Sequence, residues 1–122
     1  MPVSGIGGLF FRARDPDALK RWYCDHLGVG CGDWGMWDQE AGTTVFSPFP
    51  ADSDYFPAEK QWMLNLRVSG LDDLLDQLRA AGIDVITKDE WNDPSVGRFA
   101  RIHDPEGNPI ELWEPANGAS AS

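Results

Sequence analysis

The chain has 122 residues, 42% hydrophobic and 25% charged, which is one domain's length with ordinary globular composition. A formal net charge of −10 and a pI near 4.4, with no cluster of Lys or Arg as a local exception, exclude nucleic acid as a partner. No stretch approaches the ~18 apolar residues that cross a bilayer and no basic-then-apolar leader opens the chain, so a cytoplasmic protein without membrane association is expected.

In chain order, "GIGGLFFRARD" reads as a first strand running into a helix. Asp15 is a good N-cap, Pro16 suits the first helical position, and Leu19, Trp22, Tyr23 and Leu27 fall on one face before Gly28 ends the helix. Cys24 and Cys31 are expected as two thiols in a reducing compartment, since with His26 they match no zinc spacing. Short strands are expected near 30–33, 35–39 and 43–47.

The segment 48–60 carries prolines and reads as a fairly stiff linker, in which Tyr55 and Phe56 are placed to cover something. After it, "QWMLNLRVSG" predicts a second first strand. Leu71, Leu74, Leu75 and Leu78 form an apolar helical stripe, with Asp72 and Asp73 in the first turn and Gly82 at the exit. Strands follow near 83–88, 97–103 and 109–114, the last two joined by the turn "DPEGN". The small, polar tail 116–122 is expected to be disordered.

The two halves rhyme. Asp15 precedes Gly70 by nearly the same offset as Gly28 precedes Gly82, as an internal duplication would leave. Each half is a β-α-β-β-β module, covering 4–47 and 61–115 of a single 1–122 domain.

A doubled β-α-β-β-β unit, with "WYCDHLGVG" closing the first helix and "DPEGNPIELWEP" at the end, resembles the vicinal oxygen chelate superfamily. This group includes glyoxalase I, bleomycin-resistance proteins, fosfomycin-resistance enzymes and extradiol dioxygenases. The resemblance implies an α+β fold of two tandem modules forming U-shaped mixed sheets around a cavity that holds a small organic ligand. It also implies a homodimer and, in many members, a divalent metal such as Zn, Ni, Mn or Fe. The implied ligand positions are a His or Gln in each half's first strand and a Glu in each half's last strand.

Only one of these four places holds a ligand. The first strands put Gly8 and Met63 there, with Gly7, Leu9, Trp62 and Leu64 as neighbours, and the first half ends on Phe46 or Thr44. Glu111 alone occupies its place. A glycine or a phenylalanine cannot ligate, and a thioether suits soft copper rather than Zn²⁺ or Mn²⁺. The expectation is therefore no metal ligands and no cofactor.

Strand alternation supplies another role for Glu111. A symmetric "DPEGN" turn sets Ile102 opposite Ile110 and Arg101 opposite Glu111, so Glu111 is expected to answer Arg101. Leu9, Phe11 and Ala13 are expected under the first helix, and Leu64, Leu66 and Val68 under the second. The inward list is then Phe10, Arg12, Trp37, Met63, Asn65, Arg67, Phe99, Arg101 and Trp113 as ligand-binding residues. That is the mixture of a small-molecule pocket, apolar and aromatic with a few polar anchors.

His103, before the final turn, lies diagonal to Glu111 and makes an acid–base pair conceivable. Two functions follow. One is a metal-free small-molecule-binding protein of the bleomycin-resistance type with an aromatic-lined cavity. The other is a metal-dependent lyase, isomerase or dioxygenase using Glu111, with His103 as its second catalytic residue.

Overall fold

The computed structural model describes residues 2–116. Helix α1 spans Pro16–Leu27, strand β1 Leu64–Arg67, helix α2 Leu71–Ala80, strand β2 Gly97–His103 and strand β3 Pro109–Pro115. Single turns of 3₁₀ helix lie at Asp33–Gly35 and Asp89–Trp91. The sheet order is β1-β3-β2, with β1 parallel and β2 antiparallel to β3, so the sheet is mixed.

The β2–β3 hairpin forms in the expected register, Arg101 opposite Glu111 and Ile102 opposite Ile110. Its turn is also a clamp. Asp104 is buried and accepts hydrogen bonds from the backbone of Glu106 and Asn108, from the Asn108 amide and from the Tyr23 hydroxyl, the last at 2.7 Å. Glu106 accepts from the backbone N–H groups of Arg14 and Asp15 at 2.6 and 2.9 Å, and these bonds hold its carboxyl below the usual carboxylate range. The start of α1 is thereby tied to the final hairpin.

The core lies between the sheet and the two helices. Ala100, Ile102, Ile110, Leu112 and Leu66 meet Leu19 and Tyr23 of α1 and Leu71, Leu75 and Leu78 of α2. Asp15 caps α1 by accepting from Ala18, and Gly28 closes it in the left-handed conformation. Helix α2 is capped from afar, since Glu114 on β3 accepts from the N–H groups of Gly70 and Leu71 at 2.9 and 3.2 Å. Asp72, expected to serve that terminus, instead pairs with Arg98 at 2.6 Å.

The first half departs from the expected strands. Among the described residues, 4–13 and 30–47 form no ladder, and the strand expected at 83–88 is reduced to one bridge, Ile86 to Arg101. A strand persists only where a neighbour satisfies its backbone. Among the described residues 4–13 and 30–47 have no such neighbour, and Gly5, Gly7 and Gly8 give the first of them little β propensity. Phe11 and Ala13 still reach α1 and the core, whereas Phe10, Trp34 and Phe46 are 96%, 95% and 87% exposed.

The cysteines also differ from expectation. Helix α1 ends and the chain folds back through Gly28 and Gly30, both at φ 68, bringing the Cα atoms of Cys24 and Cys31 to 5.1 Å. The two are joined as a disulfide rather than left as thiols. Disulfides persist chiefly in oxidising compartments, so this pair lends no support to a cytoplasmic location. Among the described residues no helix is long and apolar enough to cross a membrane. Of the expected disordered tail, all but Ala116 lies outside the described residues.

Candidate functional site

The register builds two rows of side chains across the sheet face that points away from the helices. Asn65, Glu111 and Arg101 form one row, and Arg67, Trp113 and Phe99 the next. Glu111 is 8% exposed and Arg101 6%. A buried carboxylate needs donors for its oxygens, and this one has them. The Asn65 amide donates to Oε1 at 2.7 Å, and the Tyr55 hydroxyl donates to Oε2.

The expectation that Glu111 answers Arg101 is corrected by this arrangement. Although the two residues face each other, no ion pair joins them among the described residues, because Tyr55 and Asn65 take the carboxylate oxygens. The Arg101 guanidinium donates instead to the Tyr55 carbonyl at 3.0 Å. Its carbon lies 4.9 Å from the Tyr55 ring centre and 5.4 Å from that of Trp91, a cation–π seat on two rings. Its Nε is buried with no hydrogen-bond partner among the described residues.

Tyr55 comes from the linker, and Phe49 joins it there, 5.7 Å from both the Tyr55 and the Phe56 ring. Lys60 ties the end of the linker to the β2–β3 turn through Asn108 at 3.3 Å. Burial, the hydrogen bond to Glu111 and the Glu111 charge push the Tyr55 hydroxyl up to about 12, with Arg101 opposing. Tyr55 is therefore a neutral phenol at physiological pH.

The second row is aromatic. Phe99 and Trp113 stack with planes 6° apart and centres 6.3 Å apart. Trp113 is fixed by donating from its indole nitrogen to the Val96 carbonyl at 2.9 Å. The adjoining residue must be glycine. Gly97 sits at φ 138, and a Cβ there would collide with the Glu114 carbonyl and lie 2.8 Å from the Trp113 indole nitrogen.

Of the residues singled out from the sequence, Asn65, Arg67, Phe99, Arg101, Glu111 and Trp113 share this face. Arg67 is also occupied in donating to the Glu40 carbonyl at 2.9 Å. Met63 is half-buried just before β1. Phe10, Arg12 and Trp37 lie exposed on the unpaired first half and are not gathered to the face.

His103 makes no hydrogen bond to Glu111 among the described residues, and it borders a hollow of about 260 Å³ with Trp22, Asp84 and Asp104. Burial and the Arg101 charge lower its affinity for a proton. Trp91 and the docking of Tyr55 are the contributions the sequence reading did not place. The only signal was aromatic residues in a proline-rich linker.

A divalent metal does not fit this donor set. Both Glu111 oxygens accept hydrogen bonds, the nearest charged neighbour in the row is a guanidinium, and no three His, Cys, Asp or Glu residues converge among the described residues.

The fold is that of an α+β protein whose mixed sheet carries helices on one face and a polar and aromatic site on the other. A family model described as glyoxalase-like domain matches residues 8–113, and the chain belongs to that family, within the vicinal oxygen chelate superfamily.

Among solved structures, the antibiotic binding protein TnmS3 from Streptomyces sp. CB03234 is similar at 24% identity and TM-score 0.58, over 95% of this chain and 99% of that one. A glyoxalase/bleomycin resistance protein from the same organism matches at 24% identity and TM-score 0.46, over 82% of this chain and 91% of its own. A glyoxalase family protein from Enterococcus faecalis matches at 21% and 0.45, over 80% and 87%. No curated protein matches the sequence.

Proposed function

We propose that this protein binds a small, partly planar organic molecule, without a metal, on the sheet face that carries Glu111. The observation behind this reading is the pairing of a directional polar row, Asn65–Glu111–Arg101, in which Glu111 and Arg101 are buried, with a stacked aromatic row, Phe99–Trp113. Ligand sites combine broad apolar contact with a few fixed polar groups in this way. The likeness in fold to an antibiotic binding protein supports the same reading.

The test is thermal melting and tryptophan quenching with a panel of planar aromatics, run beside titrations of Zn²⁺, Ni²⁺, Mn²⁺ and Fe²⁺. Aromatic ligands are expected to raise the melting temperature and metals to leave it unchanged. Tight stoichiometric metal that is lost in Glu111→Ala would instead support the metal-dependent enzyme.

The working unit is proposed to be a homodimer. Segments that join no ladder among the described residues, with exposed Phe10, Trp34 and Phe46, suit burial against a second copy. Sedimentation equilibrium should give about twice the 13.5 kDa chain mass. A monomer at all concentrations would refute this.

A further inference from the structure

The group that fills the polar row belongs to the chain itself. Tyr55 lies on no helix or strand, and it reaches the sheet from a linker that Lys60 anchors at one end. Its ring rests between the Arg101 guanidinium and two aromatic neighbours, Trp91 at 6.1 Å and Phe49 at 5.7 Å. Its hydroxyl donates to a buried carboxylate.

Resting on the reading of this face as a ligand site, we infer that Tyr55 stands in for the ligand, and that the site takes a neutral hydroxyarene which displaces Tyr55 and donates its own hydroxyl to Glu111 Oε2. The chemistry narrows the class. A carboxylate can only accept hydrogen bonds, so an aryl ether or ketone gains nothing from Glu111, and an anionic ligand is repelled by it. The guanidinium face accepts an electron-rich ring without distinguishing it from a tyrosine ring.

A second observation points to an occupant other than Tyr55. The Arg101 Nε is a buried donor that nothing among the described residues satisfies, on a residue 94% buried by its 6% exposure. Tyr55 offers it no acceptor, having given its carbonyl to a different guanidinium nitrogen. An acceptor oxygen on the ligand ring would satisfy it, and buried donors are rarely left without a partner. The ligand is therefore a hydroxyarene that also carries an acceptor oxygen. Displacing Tyr55 breaks no strand ladder, since the linker has none.

The test is calorimetric titration of 6-acetyl-2-naphthol, a hydroxyarene that carries an acceptor oxygen, and of its methyl ether into the wild type, Tyr55→Phe, Tyr55→Ala and Glu111→Gln. Both probes must displace Tyr55, so removing its hydroxyl should tighten each about tenfold in Tyr55→Phe, while the naphthol should outbind its ether about tenfold in the wild type and in Tyr55→Phe alike, the worth of one hydrogen bond to a charged group. Glu111→Gln should abolish the preference for the naphthol. Should both probes bind while Tyr55→Phe leaves their affinities unchanged, or the preference survive in Glu111→Gln, Tyr55 is a structural cap and the inference falls while the ligand-site reading stands. Should neither probe bind any variant, including Tyr55→Ala with its ring space opened, both readings fall together.

Discussion

The Tyr55–Glu111 contact can be weighed by thermodynamics as well as by ligand binding. Tyr55→Phe removes one oxygen and leaves the ring on Arg101, so apolar burial hardly changes. What changes is Glu111 Oε2, which loses a donor inside a side chain only 8% exposed. A hydrogen bond to a charged group contributes ~1.5–3 kcal/mol, and half-burial of Tyr55 lets water recover part of it, so about 2 kcal/mol is expected. For a chain of 122 residues that corresponds to a fall in Tm of roughly 6–10 °C.

Glu111→Gln should cost about 1–2 kcal/mol, because its amide oxygen still accepts from Asn65 and its N–H reverses the bond to Tyr55, whose hydroxyl then accepts, but the charge that strengthened both bonds is gone. The two changes weaken the same contact, so the double variant should be more stable than the sum of the singles by about 1 kcal/mol. Urea unfolding with unchanged m-values measures all three. Additivity within ~0.5 kcal/mol, or a Tyr55→Phe effect smaller than that, would refute the contact as described.

Three further predictions concern the frame around the site. Tyr23→Phe removes the hydroxyl donor to buried Asp104 and should cost about 1–2 kcal/mol in urea unfolding, loosening α1 against the final hairpin. Glu114→Ala leaves the first N–H groups of α2 uncapped, and a loss of about 1 kcal/mol is expected together with faster amide exchange at Gly70 and Leu71. Alkali should destabilise the wild type. The Tyr55 hydroxyl is raised from 10.0 to about 12, so its contribution is full below pH 10 and is lost as pH rises from there through about 12. Discounted for partial exposure this is about 1 kcal/mol. Tyr55→Phe should flatten that part of the pH–stability curve, though not the share from Tyr23, which burial and Asp104 also hold neutral.

The parts of the molecule legible in the sequence are those whose determinants are local. Asp15, Pro16 and Gly28 mark both ends of α1, and the turn "DPEGN" sets the hairpin register residue by residue, which alone places Arg101 beside Glu111. The parity of β1 follows from Leu66, buried against the core, with Asn65 on the other face. What was not legible depends on partners far along the chain. The first-half strands have the alternation of strands but no neighbour within this chain to complete their ladders. Tyr55 and Trp91 reach Arg101 from segments without periodicity, so no pattern announces them. The Cys24–Cys31 bond depends on the left-handed glycines that turn the chain back after α1.

The correction at Glu111 changes the chemistry the face can offer. A direct Arg101–Glu111 ion pair would have spent both charges on each other and left a row with little to give a ligand. Here the charges face each other in register, and their hydrogen bonds go to neutral groups, Asn65 and the hydroxyl and carbonyl of Tyr55. The row as a whole is electrically balanced, so neither an anion nor a cation gains by entering it. Its acceptor and its donor remain separately addressable, one reached by moving a linker tyrosine and the other without a partner among the described residues. Balanced charge with separate directional groups selects neutral molecules that carry a hydroxyl and a carbonyl-type oxygen, and the Phe99–Trp113 stack beside it favours flat ones.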